Sequence, residues 1–202
     1  FTVMTNLQAN PFLKPYKTPH ETAPFDKIKN EHFEPALEKG LKEHKAEINA
    51  IIRNRAVPTF QNTIVPYEKS GELLSRVTNV FFPLLGAESD DEKMEIAQRI
   101  QPKLSAHSNE IMLDELLFQK IKTVYDSRHT SNLKGEEIRL VEDIYRGFEN
   151  RGANLSPQDK EKYKELSTKL SQLTLDFSQN ALKYSNAYEM LLTKEEDLAG
   201  LP

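Results

Sequence analysis

Apolar residues recur every three or four positions through most of the chain after Pro24, and this period constrains the fold more than any other feature. One face of an α-helix shows that spacing, whereas a half-buried strand alternates apolar and polar residues. No segment sustains such an alternation, and no Asn-Gly or Asp-Gly pair marks a hairpin turn. The sequence therefore predicts an all-α fold: a multi-helix, bundle-like domain over residues 26–202, preceded by an extended, proline- and aromatic-rich arm over residues 1–25.

Six segments carry the helical period. They run from Asn30 to Asn54, Asn62 to Gly86, Ser89 or Asp90 to Met112, 113–128, 132–152 and 156 to about 188. Pro83 is expected to kink or end the second segment and Pro102 to bend the third, because proline lacks the backbone N–H that helices use. Gly152 is placed to stop the fifth segment in a left-handed conformation.

The last of these segments has the clearest start. Ser156 is expected to cap it, with Pro157 in the first helical position and Asp159 completing a capping box. Its apolar residues step by three or four: Tyr163, Leu166, Leu170, Leu173, Phe177, Ala181, Tyr184 and Tyr188. The pattern predicts a helix of about 30 residues, which we expect to be the spine of the domain. A second capping pattern at Thr193 predicts a short terminal helix.

Composition excludes several classes of function. The formal net charge is −4, and basic residues are interleaved with acidic ones, so a nucleic-acid partner is not expected. No apolar run approaches the roughly 20 residues that a bilayer-spanning helix needs, so no membrane partner is expected. The chain has no cysteine, which excludes disulfides, thiolate metal sites and cysteine nucleophiles.

The arm contains "HETAP", His20 to Pro24, which begins like the zinc-peptidase motif H-E-x-x-H. The second histidine would have to be residue 24, which is proline, and Pro19 and Pro24 both oppose the helix that presents the two ligands. His32 and His44 share a helix but lie roughly 120° apart around it. We therefore expect an extended segment here and no metal ligands in the chain.

No local pattern for nucleophilic catalysis is present, such as G-x-S-x-G. The stretch "SAHS" around His107 favours a partly buried polar contact, and paired carboxylates such as Glu34 with Glu38 favour solvated helix faces or caps. A triad assembled from distant residues would leave no local pattern. The sequence thus predicts no catalytic residue.

Five stretches carry a family resemblance: "NPFLKPYKTPHETAPFDKIKNEHFEPALEKGL", "PTFQNTIVPYEKSGELLSRVTNVFF", "IQPKLSAHSNEIMLDELLFQKIKTVYD", "RLVEDIYRGFENRGANLS" and "DLAGLP". Together they resemble the N-terminal region of M3-type zinc metallopeptidases, above all the bacterial peptidyl-dipeptidases, also called dipeptidyl carboxypeptidases. "PFDKIKNEHFEPAL" is also similar to the oligopeptidase A branch.

The resemblance implies a parent enzyme with a channel for short peptides and one zinc ion, held by the histidines of H-E-x-x-H and a later glutamate. Those residues belong to a later part of the family's chain. The resemblance thus implies that this chain is an inactive N-terminal domain without a cofactor, whose partner is the catalytic domain of the same polypeptide, in the cytoplasm or periplasm of a bacterium. The first and last residues likewise suggest a piece of something longer.

Two alternatives remain open: a stand-alone helical interaction module, and the same domain from an oligopeptidase A type enzyme. In the leading interpretation, aromatic residues of the arm, Phe12, Tyr16 and Phe25, are expected to pack on the missing catalytic domain, as is Phe82 of the second helix. We then expect the arm to be more protease-sensitive in this chain than in the full enzyme.

Overall fold

The computed structural model describes residues 10–194, 196, 199 and 200. Over this part of the chain the fold is all-α and has no β-strand, as the sequence predicts. Two single 3-10 turns, Pro11–Leu13 and Pro19–Glu21, precede the helices. The helices are α1 Asn30–Arg53, the short α2 Val65–Lys69, α3 Glu72–Ala87, α4 Asp91–Met112, α5 Glu115–Ser127, α6 Gly135–Asn150 and α7 Pro157–Asn186. The short helix expected at Thr193 lies largely outside the described residues.

Two predicted N-terminal caps are present. The Asp90 carboxylate accepts a hydrogen bond from the backbone N–H of Lys93, 2.7 Å away, at the start of α4. At the start of α7 the Ser156 hydroxyl oxygen accepts from the N–H of Asp159 at 3.2 Å. The Asp159 carboxylate accepts from that same hydroxyl at 2.7 Å instead of reaching back to the backbone. Both caps occupy N–H groups that a helix start would otherwise leave unpaired.

Gly152 ends α6 as predicted. Its φ of 88° lies in the left-handed region, and its N–H donates to the carbonyl of Glu149 at 3.0 Å. The N–H of Ala153 donates to the carbonyl of Phe148, also at 3.0 Å. These two bonds form the Schellman arrangement, which satisfies carbonyls at the helix end.

The expected continuous helix from Asn62 to Gly86 is wrong. Instead, a π-helical turn over Phe60–Ile64 leads into α2, and the chain breaks at Ser70 and Gly71 before α3 begins. Gly71 has a φ of 74°, a conformation that glycine adopts without a steric penalty. The periodicity hid this break because the apolar spacing on either side of it stays compatible with one helix.

Neither Pro83 nor Pro102 ends its helix. α3 continues past Pro83 to Ala87, and α4 continues past Pro102 to Met112. Pro83 lies only one turn from the end of α3, so the helix loses a single bond, to the carbonyl of Asn79. Asn79 itself is an exposed residue.

The described residues form two apolar cores, and α1 contributes to both. The first core joins the arm, the first half of α1, α3, α4 and Leu175 of α7; its fully enclosed members are Phe12, Ala36, Leu37, Val77, Phe81 and Ala97. The second joins the end of α1, α5 and α6; its fully enclosed members are Ile64, Leu117, Ile121 and Val141. α4 also contributes to both, with Ile100 in the first core and Ile111 in the second, so two helices tie the halves of the domain together.

α7 has the expected length, 30 residues, but it is not the spine of the domain. It packs along one side of α4, and its buried residues are Leu175 and Gln179. The apolar residues that predicted it lie mostly on the opposite face, in solvent. In the part of the chain described, no helix is long and apolar enough to cross a membrane.

Candidate functional site

Phe12 does not lie where the sequence suggested. Its side chain is 0% exposed and packs against the ring of Phe33, with 5.4 Å between ring centroids. The Asn10 side chain donates to the carbonyl of His32 at 2.7 Å, and Arg76 donates to the carbonyl of Phe12 at 3.2 Å. The expectation that Phe12 packs on another domain is therefore corrected, because the chain's own first core encloses it.

Tyr16 and Phe25 differ from Phe12. Tyr16 is half-buried at the edge of the first core, with the Arg76 guanidinium 5.7 Å from its ring centroid. Phe25 is 59% exposed. Phe25 therefore keeps an apolar surface that a further domain could cover, and its expected role stays a prediction.

Phe82 borders an open groove. Its ring packs edge-on against Phe81, with 5.3 Å between centroids, and is partly buried. On its other side lies a cavity of about 730 Å³ between the end of α3, α4 and the second half of α7. Leu85, Leu170 and Leu182 also line it. Phe82, one of the four expected docking residues, thus faces a groove that a further apolar side chain could fill.

The "HETAP" stretch forms no metal site. His20 and Glu21 are exposed and sit in a 3-10 turn, with φ values of 57° and 54°. We had expected an extended segment, and this expectation is wrong at His20 and Glu21, where the backbone turns. Among the described residues, no three histidine, aspartate or glutamate side chains are placed to bind one metal ion.

Two histidines that are far apart in sequence meet between α1 and α4. His107 Nε2 lies 3.0 Å from His44 Nδ1, and the rings pack edge-on at 4.9 Å. Burial lowers the pKa of His44, and Glu47 partly opposes this. Burial and the neighbouring His44 lower the pKa of His107. The polar contact expected for His107 is present, but a separation of 63 residues gave the sequence no way to indicate its partner.

The His44 ring also reaches Ser70, whose Oγ lies 3.2 Å from His44 Nε2. A serine beside a histidine suggests a nucleophile, but the Ser70 hydroxyl donates its proton to the carbonyl of Tyr67 at 2.6 Å. His44 Nε2 is then the donor to Ser70, and His44 Nδ1 accepts from His107. A nucleophilic serine needs the opposite direction of donation, toward its base. The hydrogen bonds from His107 through His44 to Ser70 therefore hold the segment between α2 and α3 against α1, and they do not activate Ser70.

Carboxylates of α1 form ion pairs with basic side chains of α4. Glu34 accepts from Arg99 at 3.0 Å, and Glu38 accepts from Lys103 at 2.6 Å. These groups are about half exposed, apart from Glu34 at 29%, so each pair contributes little to stability. They join two helices at the surface, which is a structural role.

α7 carries its polar residues toward the domain and its apolar residues away from it. Asn109 donates to the Ser167 hydroxyl at 2.7 Å, and Gln98 donates to Gln179 at 3.1 Å. Leu175, 9% exposed, is the buried apolar residue on this side. The outer side carries what we call the apolar stripe: Leu166, Leu170, Leu173, Phe177 and Tyr184. At about 100° per residue the stripe spans an arc of about 60° and a length of about 27 Å.

Comparison with known proteins identifies relatives along almost the whole chain. The dipeptidyl carboxypeptidase of Escherichia coli (strain K12) is 39% identical over 196 residues, which are 95% of this chain and 28% of that protein. The dipeptidyl carboxypeptidase of Salmonella typhimurium is 37% identical over 195 residues, 96% of this chain and 29% of that protein. Oligopeptidase A of Escherichia coli is 29% identical over 93% of this chain and 28% of its own length.

No family model matches the chain. The chain spans less than a third of the length of these relatives. At 37% and 39% identity over nearly its whole length, the chain is homologous to a part of the dipeptidyl carboxypeptidases and, at lower identity, of oligopeptidase A.

Proposed function

We propose that the chain is the non-catalytic, N-terminal helical domain of a zinc-dependent peptidyl-dipeptidase, an enzyme that removes dipeptides from the C-termini of short peptides. Coverage is the observation that supports this most. The dipeptidyl carboxypeptidases match 95% and 96% of this chain, whereas the chain accounts for only 28% and 29% of their length. In an enzyme of that length, most of the polypeptide would therefore lie outside these 202 residues.

The domain's contribution is steric: it walls one side of the substrate channel and keeps folded proteins away from the catalytic centre. H-E-x-x-H does not occur in the sequence, and the described residues offer no group of three metal-binding side chains. They do not fit a zinc ion. The metal and the general base would both come from the remainder of the polypeptide, which makes that remainder the domain's main partner.

Reading the gene downstream of Pro202 tests this proposal. An in-frame H-E-x-x-H supports it, and a stop codon instead supports a stand-alone interaction module. The 202-residue chain itself should retain no stoichiometric zinc after dialysis against a chelator and should cleave no peptide. Stoichiometric zinc together with peptidase activity would overturn the proposal.

A dipeptidyl carboxypeptidase is favoured over oligopeptidase A because identity is 37% and 39% for the former and 29% and 28% for the latter. The products of the longer enzyme distinguish the two. We expect successive release of dipeptides from a short peptide with a free C-terminus, and little cleavage of the same peptide with an amidated C-terminus. Equal internal cleavage of both peptides would favour the oligopeptidase A alternative.

A further inference from the structure

The apolar stripe of α7 is a row of exposed apolar side chains along one helix. Phe177 is 74% exposed, and the four others are more than half exposed. Isolated apolar residues on a surface need no explanation, but a continuous row along one helix marks a surface that another element covers.

The inner side of α7 sharpens this argument. A helix in a protein is usually held by burying its apolar face. α7 instead meets α4 through hydrogen bonds of Ser167 and Gln179 and through one buried leucine, Leu175. The face that would ordinarily stabilise such a helix is the one left in solvent.

The stripe does not stand alone. Leu170 belongs both to the stripe and to the lining of the groove that Phe82 borders. Beyond α7, Tyr188, Met190 and Leu191 are also well exposed. Stripe and groove thus form one apolar surface on the C-terminal part of the described chain, and further exposed apolar side chains follow it in the sequence.

We propose that the remainder of the longer polypeptide docks on this surface, with the stripe packed against its helices and an apolar side chain filling the groove beside Phe82. This inference rests on the proposed function, since it needs a longer chain. The relatives supply the reason for choosing this occupant: more than two thirds of their length lies beyond the region that this chain matches. A covalently linked partner is also present at an effective concentration in the millimolar range, which a second copy of the chain does not ordinarily reach.

Side-chain footprinting with hydroxyl radicals tests the docking directly. The oxidation rates of Leu173, Phe177 and Tyr184 are compared between the 202-residue chain and the longer polypeptide from the same gene. We expect these rates to fall severalfold in the longer polypeptide. Leu116, an equally exposed leucine on α5 (64%), is the internal control and should react equally in both.

The outcomes separate the inference from the proposed function. If the gene continues into a peptidase and the stripe reacts at the same rate in both forms, the docking surface is wrong and the proposed function stands. If the stripe is already protected in the 202-residue chain, and more so at higher concentration, a second copy is the occupant and the inference is overturned. A stop codon after Pro202 overturns both.

A pair of variants gives an independent measurement. Phe177→Glu should lower the thermal midpoint of the longer polypeptide but not that of the 202-residue chain, where residue 177 is already in water. Leu116→Glu should leave both midpoints unchanged. A Phe177→Glu variant of the longer polypeptide that melts with the wild type would overturn the inference.

Discussion

Gly40 sets how closely α1 and α3 approach each other. A Cβ atom at this position would lie 2.9 Å from the Cα of Leu74 and 3.0 Å from its backbone nitrogen. Backbone atoms cannot move aside as a flexible side chain can, so Gly40→Ala has to push the two helices apart. We expect a loss of about 1–3 kcal/mol in the free energy of unfolding, measured by urea denaturation.

Gly147 is the matched control for that substitution. It also lies inside a helix, α6, but a Cβ atom there would meet nothing within 4 Å. Gly147→Ala should therefore stabilise the chain by up to about 1 kcal/mol, because alanine favours the helix. Equal effects of the two substitutions would show that helix propensity decides at Gly40 and not the contact with Leu74.

The His44–His107 pair predicts a pH dependence of stability. Both pKa values are lowered by burial from an ordinary value of 6.5, so the unfolded chain binds protons more readily than the folded one. Stability should be constant above about pH 6.5 and should fall as the pH drops below it. Glu47 and Glu110 favour the protonated rings and Lys45 opposes protonation of His107, which limits the size of the effect.

Denaturation in urea between pH 8 and pH 5 measures this slope. His107→Gln should flatten it, because one titrating ring is lost while an amide can still donate to His44. His129→Gln, at an exposed position on another part of the surface, should leave the slope unchanged. A slope that survives His107→Gln in full would contradict the role of the pair.

At the residue scale, a structural role could be predicted from the sequence where it depends only on neighbouring residues. Asp90, Gly152 and Ser156 could be identified because a cap or a left-handed stop depends on residues within one turn. Gly40 and the histidine pair could not be identified, since their roles depend on another helix that the single sequence does not bring near them.

At the scale of elements, α7 offers a direct test of its orientation. Leu173 and Leu175 are two residues apart, but Leu173 is 54% exposed and Leu175 is 9% exposed. Leu175→Ala should cost about 2–3 kcal/mol, because it removes a side chain from the first core. Leu173→Ala should change the stability of the 202-residue chain by less than about 0.5 kcal/mol. Urea denaturation of both variants measures the difference, and a larger loss for Leu173→Ala would mean that the stripe faces the domain.

The spacing of apolar residues by three and four positions identified α7 and its length, but not the surface against which its apolar face packs. Periodicity shows that a helix has an apolar face, and it is silent on whether that face meets this domain or another one. The same limit explains the error between Asn62 and Gly86, where a break at Gly71 left the apolar spacing intact. Long helices could thus be predicted, whereas their breaks and orientations depended on tertiary contacts.

At the scale of the whole molecule, the fold class follows from composition and period, but the two cores do not. α1 divides its buried residues between both cores, with Phe33 and Leu37 in one and Ile48 and Ile51 in the other, and α4 does the same. Which half of a helix faces which neighbour is a consequence of how seven helices pack, and the sequence marks only that α1 is apolar on one side.

The arm shows how this packing divides one sequence motif into two roles. Phe12 is enclosed by the first core, whereas Phe25 remains exposed. Phe12→Ala should cost about 3–5 kcal/mol in the 202-residue chain, and Phe25→Ala should cost less than about 0.5 kcal/mol there. In the longer polypeptide we expect Phe25→Ala to become clearly destabilising, because the catalytic domain would then cover that ring. Urea denaturation of both variants in both forms measures this; a Phe25→Ala variant that is neutral in the longer polypeptide would contradict the expectation that Phe25 packs on the catalytic domain.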